Sequence, residues 1–164
     1  MPEERPHITI LHQREIEAKV LGPVIRAFAE AVGVEKAIEV LRGVITDLAH
    51  KDGADLARSI GESSLEAFAS TIGRWTEGGA LEIDVLEQTP ERFSYNVTRC
   101  RYAEMYERLG IRDLGATLSC QRDFTLAEGF NPEFKLERTQ TIMRGAPYCD
   151  FRYRRVSKDP GKID

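Results

Sequence analysis

The sequence predicts an α+β fold: N-terminal helices packed with an antiparallel sheet of about four strands, and two further helices set between the hairpins. Three observations carry this. The first half repeats apolar residues every three to four positions, the period of helices with one buried face. After Gly78-Gly79 the period switches to strict alternation, as in Leu81-Glu82-Ile83-Asp84-Val85, the mark of a half-buried strand. The order, helices then hairpin then helices then hairpin, lacks the regular β-α alternation of a parallel sheet.

From about Gln13 to Val32, Ile16, Val20, Leu21, Val24, Ile25 and Phe28 fall at helical spacing. Gly22-Pro23 interrupts them, so one bent helix or two are expected. Gly33 ends this element. The next runs from about Glu35 to His50, with Ala37, Val40, Leu41, Val44, Ile45 and Leu48 on one face, and Asp52-Gly53 reads as its stop. Short helices over Ala54 to Ile60 and Ser63 to Thr76 follow, with Ser63 or Ser64 as cap to the second. Trp75 reads as a cap on the core.

Leu81 to Val85 and Phe93 to Arg99 form a hairpin around Thr89-Pro90-Glu91. Phe93, Tyr95 and Val97 share one face, and Ser94, Asn96, Thr98 and Cys100 the other. Helices over Arg101 to Leu109 and about Asp113 to Glu128 come next, broken by Gly129-Phe130-Asn131-Pro132. Strands over Lys135 to Met143 and Cys149 to Arg155 close the chain. On the last strand Asp150, Arg152 and Arg154 oppose Cys149, Phe151 and Tyr153. With no repeat or linker, residues 1–164 read as one domain, with flexible tails at 1–10 and 157–164.

The stretch from Asn96 to Arg152 holds all three cysteines, set among Asp123, Asn131, Arg138, Gln140, Asp150 and Arg152. A buried polar group costs free energy unless paired, so this density points to a lined pocket. Composition narrows the partners. A net charge of -4 gives no electrostatic case for nucleic acid. No apolar run reaches the roughly 20 residues a membrane helix needs. The polar, acidic start MPEERPHITI is unlike a signal peptide, so a cytoplasmic location is expected. Three cysteines with no Cys-x-x-Cys pair match neither a zinc framework nor a disulfide framework, and read as free thiols. No phosphate loop, Gly-x-Ser-x-Gly elbow or dinucleotide fingerprint is present, so neither cofactor nor metal is expected.

Cys120 and Asp123 lie three apart on a helix and share a face. A thiol attacks carbon as thiolate, which positive neighbours favour. Cys100 sits between Arg99 and Arg101, and Cys149 is near Arg152. Asp123 or Asp150 could carry a proton or fix an arginine. The scarce histidines, His7, His12 and His50, lie far from this stretch in sequence.

These residues resemble a known family. The run Asn96-Val97-Thr98-Arg99-Cys100-x-Tyr102-Ala103-Glu104-x-Tyr106-x-x-Leu109-Gly110 is similar to a signature of the L-2-amino-thiazoline-4-carboxylic acid hydrolase-like family. So are Leu118-Ser119-Cys120-x-x-Asp123, Gly129-Phe130-Asn131-Pro132, Arg138-Thr139-Gln140-Thr141-Ile142-Met143 and Cys149-Asp150-Phe151-Arg152. Tyr148 stands where the pattern leads one to expect a histidine. The resemblance implies a bacterial, cytoplasmic hydrolase that opens a cyclic amidine, the named reaction turning a thiazoline into N-carbamoyl-cysteine. The activity it implies is hydrolysis of a non-peptide carbon–nitrogen or carbon–sulfur bond.

On that implication, the nucleophile is a thiolate, Cys120 or Cys149, or water activated by a carboxylate, with Asp123 or Asp150 handling protons. Arg138 or Arg152 takes the substrate carboxylate by paired hydrogen bonds, and Glu104, Asp123 or Asp150 holds the amidinium. Asn131, Thr139 and Gln140 orient substrate or stabilise developing charge, and Cys100 and Tyr102 complete the binding residues. The expected partner is a small molecule with a carboxylate, and homo-oligomer formation stays open. A non-catalytic small-molecule binding or sensing domain on the same fold is the alternative. A metal or redox protein using the three thiols, and a partner-binding protein using its helices, are further readings.

Overall fold

The structure, a computed structural model, describes residues 6–156. The tails expected at residues 1–5 and 157–164 lie outside them; residues 6–9 precede the first helix, and Ile10 already belongs to it. Helices α1 (Ile10–Val32) and α2 (Val34–Ile60) are followed by the short α3 (Leu65–Ser70) and α4 (Gly73–Thr76). Strands β1 (Leu81–Gln88) and β2 (Arg92–Cys100) lead into α5 (Arg101–Arg108), α6 (Arg112–Gly115), a π-helical turn at Ala116–Cys120, and α7 (Arg122–Phe130). Strands β3 (Phe134–Glu137) and β4 (Cys149–Arg155) complete a four-stranded antiparallel sheet of order β1-β2-β4-β3. The α+β class and its helix-to-sheet order are as the sequence predicts. No helix among the described residues is long and apolar enough to cross a membrane.

Several boundaries differ from the sequence reading. Pro23 lies inside α1, which runs on as a single helix. That helix buries Ala18, Gly22 and Ile25, while Ile16, Val20 and Val24 of the expected stripe are exposed. On α2, Ala37, Leu41 and Ile45 are buried while Val40, Val44 and Leu48 are not. Asp52-Gly53 does not stop α2, which continues to Ile60 and ends at left-handed Gly61. Gly53 is instead a packing residue: a Cβ there would sit 2.1 Å from the Leu126 carbonyl oxygen on α7. Gly129 answers it from inside α7, where a Cβ would come within 2.0 Å of the His50 carbonyl oxygen. Two glycines thus let α2 and α7 meet backbone to backbone.

Strand β3 also ends early, at Glu137, rather than running to Met143. The cause is Asp150 on β4. Its carboxylate accepts the backbone N–H groups of Thr139 and Gln140, both at 2.9 Å, and the Thr139 hydroxyl at 2.5 Å. These donors turn to a side chain and leave the strand ladder. Burial opposes ionisation of Asp150, but its hydrogen bonds outweigh that and hold the carboxyl below its ordinary value. A depressed carboxyl stabilises the fold above the unfolded pKa and loses that contribution as pH falls through the folded one. Asp150→Ala is expected to cost about 1–3 kcal/mol at pH 7. Urea midpoints should show the gap to wild type narrowing at about pH 3.

The apolar interior has two parts. One lies between the sheet and helices α3 and α7, around Phe68, Phe93, Phe130, Phe134 and Tyr153. The other joins α1, α2 and α5 around Ile25, Leu41, Ile45, Met105 and Tyr106. Cys100 and Ile142 pack against both, and the cavity described next opens where the two meet.

Candidate active site

A cavity of about 100 Å³ lies over the aromatic face of the sheet. Phe93, Tyr95 and Val97 from β2 and Cys149, Phe151 and Tyr153 from β4 form its floor. Alternation puts these six on one side of the sheet, as the sequence indicates. The polar side is different from the expected pocket: Asn96, Asp150 and Arg152 do not line the cavity. Arg152 donates to the Asn96 side-chain oxygen at 2.8 Å and to the Tyr95 carbonyl at 3.0 Å, and so braces β2 against β4.

Strict alternation would place Cys100 with Asn96, away from the cavity. The strand pairing corrects this. Ile83 pairs with Val97, Glu82 with Arg99 and Leu81 with Cys100, so Thr98 is an extra residue on β2. Such a bulge shifts the alternation by one, and Cys100 comes round to the cavity beside Leu81. Its sulfur also caps α5, accepting the Ala103 N–H at 3.4 Å.

The helical wall comes from the π turn and the start of α7. Gln121 N–H bonds the Ala116 carbonyl, a five-residue step, at 2.8 Å. Such turns concentrate at functional sites. This one presents Ser119 and Cys120 to the cavity, followed by Arg122 and Asp123 on the first turn of α7. Cys120 and Asp123 therefore face one space, as their spacing predicts. Arg138 pairs with Asp123 and also donates to the Cys120 carbonyl at 2.9 Å. Its guanidinium lies 4.8 Å from the Phe124 ring centre and 4.9 Å from that of Phe151. Sandwiched between two rings and tied to an acid, Arg138 is a fixed support for Asp123.

Of the residues singled out in the sequence, Cys100, Cys120, Cys149, Tyr102, Asp123 and Arg138 line the cavity. Tyr102 donates to the Trp75 carbonyl at 3.2 Å. Six others do not line it. Glu104 pairs with Arg99 on the surface, Asn131 closes a turn by bonding Ser63 and Glu133, and Gln140 donates to the Tyr148 carbonyl. Thr139 and Asp150 bond each other, and Arg152 braces the sheet. Tyr148, the departure from the family pattern, is also outside the wall. Sequence reasoning missed Arg14, Ser119 and Arg122. Arg14 stands one helical turn before buried Ala18, and a charge on a buried stripe is a usable signal.

The electrostatics are those of a dry site. Burial pushes the Cys120 thiol up to about 12 and the Cys100 thiol to about 11, and it raises Cys149 as well. The negative charge of Asp123 adds to the rise at all three. Burial also lifts the Asp123 carboxyl above its ordinary value, against the pull of Arg138. All three thiols are thus protonated at neutral pH. Alkylation of Cys100 and Cys120 by iodoacetamide at pH 7.5 is expected to be about a hundredfold or more slower than that of free cysteine, and that of Cys149 slower as well. Among the described residues no cluster of histidine, cysteine and acidic groups could hold a metal ion.

The family model described as L-2-amino-thiazoline-4-carboxylic acid hydrolase matches residues 13–153. The chain belongs to this family. Within it, the match takes in every cavity-lining residue except Ile10. No curated protein matches the chain. Among solved structures, the chain is similar to trafficking protein particle complex subunit 3 from Naegleria fowleri covalently bound to palmitic acid. The TM-score is 0.53 at 11% identity, covering 88% of this chain and 96% of that one. The phenol-responsive sensory domain of the transcription activator PoxR, solved with phenol, gives a TM-score of 0.49 at 12% identity. It covers 93% of this chain and 78% of that one. At such identities the first likeness concerns the fold alone.

Proposed function

We propose that this member of the hydrolase family opens a small cyclic amidine of the 2-amino-thiazoline type, with Asp123 as the proton carrier. The observation that supports this is one carboxylate, Asp123, facing a small aromatic-floored cavity and steadied there by Arg138. An apolar cavity of about 150 Å³ takes benzene, so a space of about 100 Å³ leaves no room for a peptide or a long chain and admits a substituted ring only as its walls give way.

The chemistry follows from the charges. The ring carbon between sulfur and nitrogen is electrophilic. Water adds to it, and one of its protons passes to Asp123, whose carboxyl burial has raised above the ordinary carboxylate value, which makes it a stronger base. The carbon–oxygen bond forms as the carbon–nitrogen double bond closes onto the ring nitrogen, which takes one proton of the water. The carbon–sulfur bond then breaks as the carbonyl forms, and the second proton, carried by Asp123, goes to the departing sulfur. The product is an N-carbamoyl amino acid with a free thiol. Cysteine as nucleophile fits less well, because burial and the Asp123 charge hold all three thiols protonated. Their role in this reading is to line the cavity with small, soft, uncharged groups.

The test is to incubate the purified protein with L-2-amino-thiazoline-4-carboxylate and follow the new thiol. Turnover is expected, and Cys120→Ala and Cys149→Ala should each keep it within about tenfold. Loss of turnover in either cysteine variant, with the fold intact, would return the nucleophile's role to that thiol. A second reading, a small-molecule binding or sensing domain without catalysis, draws on the same raised thiols and the aromatic walls. Absence of turnover with ligand binding retained would favour it.

A further inference from the structure

Arg122 is buried, yet most of its hydrogen-bonding capacity is unspent. Its Nε donates to the Leu118 carbonyl at 2.9 Å. The Nη atoms are 3.5 Å from Glu17 and 3.7 Å from Asp52, too far for a good charge-assisted bond. A guanidinium has five N–H donors, and among the described residues only the one on Nε has a hydrogen-bond partner. No buried side-chain nitrogen or oxygen in the described structure is both fully enclosed and unpartnered. The Nη atoms are therefore not fully enclosed, and Arg122 is among the residues that line the cavity.

The neighbouring charges make the same point. Arg14, Arg122 and Arg138 line the cavity against one acid, Asp123. Arg138 is committed to Asp123, and Arg14 holds both oxygens of Glu17, at 3.0 and 2.9 Å. Arg122 has only the longer pairs with Glu17 and Asp52, whose charges favour its cation, beside a second guanidinium, Arg14, whose charge opposes it. The side chain of Arg122 is 9% exposed and that of Arg14 11% exposed. A buried cation paired only at such distances is incompletely compensated, and a ligand anion would complete the pairing.

We infer that Arg122, with Arg14 beside it, is the receptor for the carboxylate of the substrate. This rests on the proposed reaction for the identity of the ring, though not for the anion. The π turn sets the receptor: the Leu118 carbonyl anchors Nε, and Ser119 adds a hydroxyl to the same wall, itself 2.9 Å from the Tyr106 hydroxyl. Arg122 and Asp123 both line the cavity, so a carboxylate held by the first keeps the ring in the space that the second faces. The assignment replaces Arg138 and Arg152, the arginines that the sequence suggests for this role.

The test is calorimetric binding of 2-aminothiazole-4-carboxylate, an aromatic ring that does not open, and of 2-aminothiazole, which lacks the carboxylate. Wild-type protein is expected to bind the first on the order of 10- to 100-fold more tightly than the second. Arg122→Gln should erase that preference and leave 2-aminothiazole binding unchanged. Arg122→Lys, which keeps charge without the fork, should restore part of it. Equal binding of the two ligands by wild-type protein, or no binding of the carboxylate at millimolar concentration, would overturn the inference without recourse to any variant. So would an undiminished preference in folded Arg122→Gln. Because binding is read without turnover, failure of the hydrolase reading would leave this result standing.

Discussion

Asp123→Asn is expected to lower kcat/KM for ring opening on the order of 10²- to 10⁴-fold, the range of a general acid–base group. The amide keeps the shape of the carboxylate and can still bond Arg138, but it cannot take a proton from water. The pH profile should carry the same signature. A general base works ionised, so kcat/KM should rise with pH through the Asp123 pKa, which burial has raised above the ordinary carboxylate value. Arg138→Met removes the cation that opposes the rise. Its acid limb is expected at higher pH than that of wild type. A limb that does not move would mean that Arg138 supports structure and leaves the reacting proton untouched.

Gly53→Ala is expected to destabilise the fold by about 3 kcal/mol or more, at the upper end of overpacking. The added Cβ would lie 2.1 Å from the Leu126 carbonyl oxygen and 2.8 Å from the Phe130 nitrogen. Both are backbone atoms of a helix, so neither can swing away, and α7 would have to shift as a body. Since α7 carries Arg122 and Asp123 on its first turn, ligand binding should weaken together with stability. Gly43 lies on the same α2 helix, and a Cβ added there would meet nothing within 4 Å. Gly43→Ala is expected to be neutral or stabilising by up to about 1 kcal/mol. Denaturant midpoints of the two variants would separate tight packing from general helix preference.

The helical period, the switch to alternation and the turn residues carry the element order, because those are local signals. Asp52-Gly53 reads as a stop because glycine ends helices in isolation; only the partner helix α7 explains why it sits in the middle of one. Strand β3 reads too long because Thr139 and Gln140 keep the alternating pattern while their N–H groups turn to Asp150, a contact from another strand. The three cysteines and Asp123 were legible as a site from their density and helical spacing. Their common cavity depends on a bulge at Thr98, which the strand's own sequence does not mark. Arg122 stood in view between Cys120 and Asp123. What distinguishes it from Arg138 is pairing in space: both are buried, but Arg138 is hydrogen-bonded to Asp123, while Arg122 has only longer pairs with Glu17 and Asp52.

The most direct measurement is the rate of thiol release from L-2-amino-thiazoline-4-carboxylate by wild-type protein and by Asp123→Asn, both shown folded by circular dichroism. Turnover by wild type that falls by at least about a hundredfold in the variant is the predicted result. Comparable rates from the two proteins, or no thiol released by wild type, would contradict the assignment of Asp123 to the chemistry.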